Sequence, residues 1–256
     1  MKRKTLVRAG LGCLCLLGLA GCSQPTVVLG HNDLGMHCMN QDFSEFMILP
    51  PFNTVHAQVI QKGVEPKILT EGVEVTYTIP GNTHSSDKTN FWTYVQPLMG
   101  VSLAADVGLT GNGLSGAFAA PENGANDWVV SGIPITPIMD SGVENAYPLA
   151  TLTVLKDNQP IAETKTVVPV SWEISCNICH TGEDDGGENE DKAVSTAADI
   201  LRKHDEEHGT TLMNERPVMC GRCHAQPALG TAGAEDVPSL SHAMHSSHAG
   251  RMDAFA

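Results

Sequence analysis

From residue 23 to about 170, apolar and polar side chains alternate in short runs. Val73-Glu74-Val75-Thr76-Tyr77-Thr78-Ile79 is apolar at every second position, the period of a half-buried strand, and Pro80-Gly81-Asn82 breaks it. Ala150-Thr151-Leu152-Thr153-Val154-Leu155 alternates again. Asp157-Asn158-Gln159 then supplies turn chemistry, which predicts a hairpin returning through Ile161 to Val168. Gly- and Asn-rich turns stand at 108–116 and 122–127. Trp128-Val129-Val130 and Ile133-Pro134-Ile135 predict further short strands, placed at an edge by the proline. No internal repeat is visible. Short strands separated by turn signals predict an all-β, sandwich-like domain over 23–170.

The period changes near Ser171. Ser195 to His208 reads as a helix, with Ile200, His204 and His208 on one face, Leu201 beside them, and Gly209 as C-terminal cap. A second short helix is predicted from Ser239 to Ala249, preceded by Pro238 and closed by Gly250. The acidic run 183–192 reads as a solvated loop rather than a calcium site, because it lacks the strict ligand spacing of such loops. Residues 171–256 hold few large apolar side chains. A segment that small needs something besides side chains to fill its interior. The expectation is a small domain, mostly irregular and α-helical, over 171–256.

The first 22 residues follow another pattern. Lys2, Arg3, Lys4 and Arg8 precede an apolar stretch from Ala9 to Ala20, which is too short to span a bilayer. Leu19-Ala20-Gly21-Cys22 resembles the bacterial lipobox. That resemblance implies cleavage before Cys22, diacylation of its thiol and a membrane anchor at the cell envelope, in the periplasm or at the outer membrane. Removal of the four cations takes the formal charge from −14 to −18. So acidic a chain argues against nucleic acid as a partner; it suits solubility or a basic redox partner.

Six of the eight cysteines remain beyond the leader: Cys22, Cys38, Cys176, Cys179, Cys220 and Cys223. Cys176-Asn177-Ile178-Cys179-His180 and Cys220-Gly221-Arg222-Cys223-His224 both fit Cys-x-x-Cys-His, the attachment pattern of haem c. Two thiols at that spacing reach the two vinyl groups of one porphyrin, and the adjacent histidine becomes an axial iron ligand. A Cys₄ zinc site is the first rival, but it leaves both histidines unexplained. Disulfides or a thioredoxin-like pair are the second, but no alternating strand–helix pattern surrounds either motif. The pattern therefore predicts two haems c, with Cys176, Cys179, Cys220 and Cys223 as covalent attachment points. His180 and His224 are the proximal ligands.

Beyond Ser171 the chain also carries His204, His208, His242, His245 and His248. Two bis-histidine haems need two distal ligands. His204 is the expected one, with the other at His245 or His248. His208 is read as a propionate neighbour and His242 as solvent-exposed. Through the two motifs, Ile200-Leu201-Arg202-Lys203-His204-Asp205 and Ala243-Met244-His245-Ser246-Ser247-His248, the last third of the chain resembles the multihaem c-type cytochromes of bacterial cell-envelope lipoproteins. Histidines in such segments commonly ligate haem in that family. Its members usually carry more haem motifs, which reads this chain as either a short form or a piece of a longer protein.

His31-Asn32-Asp33-Leu34-Gly35-Met36-His37-Cys38-Met39 gathers imidazole and sulfur groups and resembles a stretch of bacterial multihaem lipoproteins. Cys38 is read as a buried thiol under the sandwich; the alternative is an extra metal site or iron ligand at His37 and Cys38. His56 and His84 are read as structural or surface residues. The function expected is electron transfer between redox partner proteins of a cell-envelope respiratory chain. The alternative is a haem-dependent oxidoreductase, or its subunit, with an open or Cys-ligated iron.

Overall fold

The computed structural model describes residues 25–172, 176–180 and 192–252. The leader with Cys22 and the acidic run up to Asp191 lie outside the described residues. In chain order, strands β1 (Thr26–Asn32), β2 (His37–Cys38), β3 (Phe46–Met47), β4 (Asn53–Gln61), β5 (Lys67–Ile68) and β6 (Glu74–Thr78) precede helix α1 (Phe91–Met99). Strands β7 (Ser115–Ala117), β8 (Trp128–Ile133), β9 (Leu149–Lys156), β10 (Gln159–Val167) and β11 (Val170–Ser171) follow. Helix α2 (Lys192–His208), strand β12 (Val218–Met219) and helix α3 (Leu240–Met252) complete the longer elements. Among the described residues no helix is long and apolar enough to cross a membrane.

The part up to Ser171 is mostly β-sheet. In one four-stranded sheet β4 is central. It pairs antiparallel with β1 on one side, Val28 opposite Val59, and with β5 and β8 on the other. The second sheet is antiparallel in the order β10-β9-β6-β7. The alternation decides which residues face inward. Val55, Ala57 and Val59 of β4, Val75 and Tyr77 of β6, and Ala150, Leu152 and Val154 of β9 are buried in one shared cluster with Phe43, Met47 and Phe91. Gly30 lets the sheets approach at one end, because a Cβ there would stand 2.9 Å from Leu152 Cδ2.

The hairpin of β9 and β10 turns through Asp157 and Asn158, at φ of 51° and 60°. A two-residue turn with both central residues left-handed matches strand twist, and Asp and Asn tolerate that conformation. Three expectations change. Helix α1 sits inside the stretch read as β, because Phe91, Val95 and Leu98 recur at helical spacing and are buried against the sheets. Ile133-Pro134-Ile135 is not a separate strand. β8 runs unbroken from Trp128 and ends at Ile133, where Pro134 offers no N–H to continue the ladder. Gly250 does not close α3, which continues to Met252.

His56 is a structural clamp on the first sheet. Its Nδ1 lies 2.5 Å from Asp127 Oδ2, its Nε2 3.0 Å from Asp33 Oδ2, and its ring stacks on His31. Partial burial lowers its pKa, but the bonds to Asp127 and Asp33 outweigh this and raise it above 6.5. A raised folded-state pKa stabilises fully below about pH 6.5, and that contribution is lost as pH rises through the folded value. Both carboxylates are substantially exposed, so the effect is below about 1 kcal/mol. Denaturant titrations at pH 5.5 and 8.5 should show a stability difference that shrinks in His56→Gln.

The C-terminal part is stitched to residues 37–49. β11 pairs parallel with β2, Val170 opposite His37, and β12 pairs parallel with β3, Val218 opposite Phe46. Phe46 then joins Ala197, Leu201 and Val218 in a second buried cluster, flanked by Ile48, Ile200, Leu212, Met213 and Cys220. The few apolar side chains after Ser171 thus gain a core by borrowing two from far upstream.

Candidate functional site

Both Cys-x-x-Cys-His segments adopt the same local conformation. Each starts with a single 3₁₀ turn, Cys176–Ile178 and Cys220–Arg222. The N–H of Cys179 bonds the carbonyl of Cys176 at 3.2 Å and that of His180 bonds it at 2.8 Å. Cys223 and His224 repeat this on the carbonyl of Cys220, at 3.3 and 3.1 Å. One tight turn therefore carries two thiols and an imidazole. In both, the first cysteine is half-buried and the second exposed. Burial raises the pKa of the Cys176 thiol and pushes that of Cys220 up to about 12, so both are protonated at neutral pH. Gly233, at φ 74°, returns the chain onto the second motif: a Cβ there would fall 2.4 Å from the Ala225 nitrogen. Ala234 N–H then bonds the Cys223 carbonyl at 2.8 Å.

Each motif histidine faces a second histidine from a distant helix. The His180 ring lies 6.4 Å, centroid to centroid, from His248 of α3. The His224 ring lies 6.3 Å from His204 of α2. Two imidazoles on opposite sides of one iron, with metal–nitrogen bonds of about 2.0 Å, have centroids roughly 6.2 Å apart. The two pairs fit that span.

All four rings have Nδ1 engaged. His180 Nδ1 lies 3.0 Å from Asp199 Oδ2, and the His224 N–H donates to the Pro238 carbonyl at 2.8 Å. The His248 N–H donates to the Met244 carbonyl at 2.6 Å. The His204 N–H donates to the Thr210 hydroxyl at 2.9 Å, which in turn donates to Asp205 Oδ1 at 2.6 Å. Iron-ligating histidines bond their outer nitrogen in this way, which fixes the tautomer and leaves Nε2 for the metal. Burial, with His208 and His224 nearby, lowers the His204 pKa and favours the neutral ring a metal requires.

Helix α2 supports both groups. Ala197 and Leu201 seat it on Phe46 and Val218, Asp199 meets His180, and His204 meets His224. Gly209, at φ 66°, ends it with an N–H to Asp205 O bond of 2.8 Å, as the sequence predicts. Asp199 is almost wholly buried and takes Arg202 on Oδ1 at 2.7 Å and Lys203 on Oδ2 at 2.8 Å. Burial raises the pKa of its carboxyl, but the bonds from Lys203, Arg202 and His180 more than reverse that and hold it well below the usual range. Among its described side chains helix α3 buries only Leu240, at its start, and pairs Arg251 with Glu207 near its end, with His248 facing His180 between them.

Among the described residues the remaining histidines make no ring contact with His180 or His224. His245 and His242 lie on the exposed surface of α3, with His245 Nδ1 bonded to the Ser241 carbonyl. His208 stands 4.8 Å from His204, centroid to centroid. The His31–Met39 stretch is dispersed. His37 is buried with Nε2 2.7 Å from the Pro50 carbonyl, Met39 enters the main core, and His31 stacks on His56. His37 and Cys38 are neighbours on β2, so their side chains leave opposite faces and are not brought together. Among the described residues no three His, Cys, Asp or Glu side chains converge as a metal cluster. Sequence reasoning missed Asp199 and Thr210; Asp199 lies 19 positions from the His180 it bonds and Thr210 six from His204, so no helical spacing singles either out. No protein-family model matches the chain, and no curated protein matches it.

Proposed function

We propose that this chain is an electron-transfer protein of the bacterial cell envelope, lipid-anchored through Cys22 and carrying two covalent haems c with bis-histidine iron. The observation that carries the reading is the pairing of each Cys-x-x-Cys-His turn with one distant histidine at an iron-spanning distance. Cys176, Cys179, His180 and His248 would hold one haem; Cys220, Cys223, His224 and His204 would hold the other. Exposed Ile178, Cys179 and Cys223 provide the surface that a porphyrin plate would cover. Haem c supplies a one-electron iron couple, with its potential tuned by axial ligands and their hydrogen bonds. The protein's own contribution is to keep four imidazoles oriented and paired. With a histidine pair committed to each haem, binding of substrate at iron would be disfavoured, and redox partner proteins would be the natural donors and acceptors.

Mass spectrometry of protein made in a host with haem maturation tests this. The expected mass carries two covalent haems. Cys176→Ala with Cys179→Ala should remove one, and Cys220→Ala with Cys223→Ala the other. An apoprotein that instead binds zinc through both cysteine pairs would overturn the reading.

A further inference from the structure

Building on the dihaem reading, we propose that Asp199 makes the two haem sites inequivalent. It acts as a positioning residue that holds the site of Cys176, Cys179 and His180 at the lower potential. Four imidazoles stand ready as ligands, and the outer nitrogens of three bond neutral groups: the carbonyls of Pro238 and Met244 and the hydroxyl of Thr210. Among the described residues only the His180 ring meets an anion directly, Asp199 Oδ2 at 3.0 Å; His204 reaches the Asp205 carboxylate at one remove, through the Thr210 hydroxyl.

An imidazole donating to a carboxylate is a stronger electron donor to its metal, which favours ferric over ferrous iron and lowers the potential. The two cations beside Asp199 do not cancel this. The Asp199 side chain is 3% exposed, whereas Arg202 and Lys203 are 43% and 48% exposed. Both cations touch the carboxylate and weaken the effect, but their half-exposed heads stay hydrated, while the bond between Asp199 and His180 lies where water is largely excluded. Arg202 and Lys203 instead fix the carboxylate in place, each through a short bond to one oxygen. The Thr196 hydroxyl, donating to the His180 carbonyl at 3.1 Å, fixes the backbone on the other side of the ring. The arrangement is built for orientation as well as charge. Electrons entering the pair settle first on the Cys220 site, and the Cys176 site is the stronger reductant once filled.

The test is an optically monitored redox titration of the full, haem-loaded chain. Asp199→Asn keeps the size and an acceptor oxygen but removes the charge. One wave should move to higher potential by about a tenfold change in ferric preference, ~59 mV for one electron, and the other should stay. Asp199→Glu should bring the wave back down. The moving wave is assigned in protein with Cys220→Ala and Cys223→Ala, which keeps only the Cys176 site. In the intact chain it is assigned by its displacement in His248→Met. Two covalent low-spin haems with neither wave moved in Asp199→Asn, or with the Cys220 wave moved instead, would overturn the inference and leave the dihaem reading standing. A mass without covalent haem overturns both.

Discussion

On the proposed dihaem reading, replacing His248 with alanine is expected to turn one of the two irons high-spin and open it to carbon monoxide, with the other unchanged. The affected iron is the one at Cys176 and Cys179. His248 is paired with His180 at 6.4 Å, and no other imidazole of α3 shares that contact. His204→Ala should do the same to the Cys220 iron, since His204 faces His224 at 6.3 Å. His245→Ala should leave both irons low-spin. That third variant carries much of the weight, because His245 and His248 are three residues apart and are equivalent by sequence. Optical and electron paramagnetic resonance spectra of the three proteins read the outcome. A high-spin ferric signal in the unaltered protein would favour the oxidoreductase alternative, since it means that one axial position is open.

The second large effect is expected at an apolar residue. Phe46→Ala should destabilise the protein by about 3–5 kcal/mol, the usual cost of emptying a buried aromatic site. Phe46 is 8% exposed and closes the cluster formed by Ala197, Leu201 and Val218. Its loss frees the seat of α2, and with it the pair of His204 and His224. The expected result is a lower melting temperature together with a changed spectrum of the Cys220 iron at temperatures where the sheets are still folded. Leu152→Ala, a deletion in the main core, should cost about 2–5 kcal/mol and leave that spectrum alone until the sheets melt. Circular dichroism and haem absorbance, followed together, distinguish the two variants.

What could be read in advance depended on the range of the interaction. The Cys-x-x-Cys-His turns and the hairpin at Asp157-Asn158 are closed by bonds within five residues, so their sequence carries their conformation. Helix α2 announces itself through Ile200, His204 and His208 and stops at Gly209 for a local reason. The same alternation marks Val55-His56-Ala57-Gln58-Val59, the central strand that the expectation passes over. The helical spacing of Phe91, Val95 and Leu98 is equally visible, but Pro97 and the flanking turns mask it. Gly250 illustrates the opposite error: one glycine costs a helix only about 1 kcal/mol, so it need not end one. Long-range choices were not legible. Nothing in α3 favours His248 over His245, because the helix lacks a clear apolar stripe to orient it. Nothing near Phe46 announces that its partners lie in α2.

The two histidine pairs are nested in the chain. His204 and His224 are 20 positions apart, and both lie inside the span of 68 from His180 to His248. Closing the shorter loop is entropically cheaper by ~1 kcal/mol, from the logarithmic dependence on loop length. Once the inner loop is tied, the outer one has less free chain left to order. On the dihaem reading, ligation would therefore have a preferred sequence, with the His204–His224 pair joined before α3 folds over the first motif. On the dihaem reading, a chain interrupted between Leu240 and Met244 would still carry every residue of the inner site, Pro238 and Ala234 included, and would lack His248.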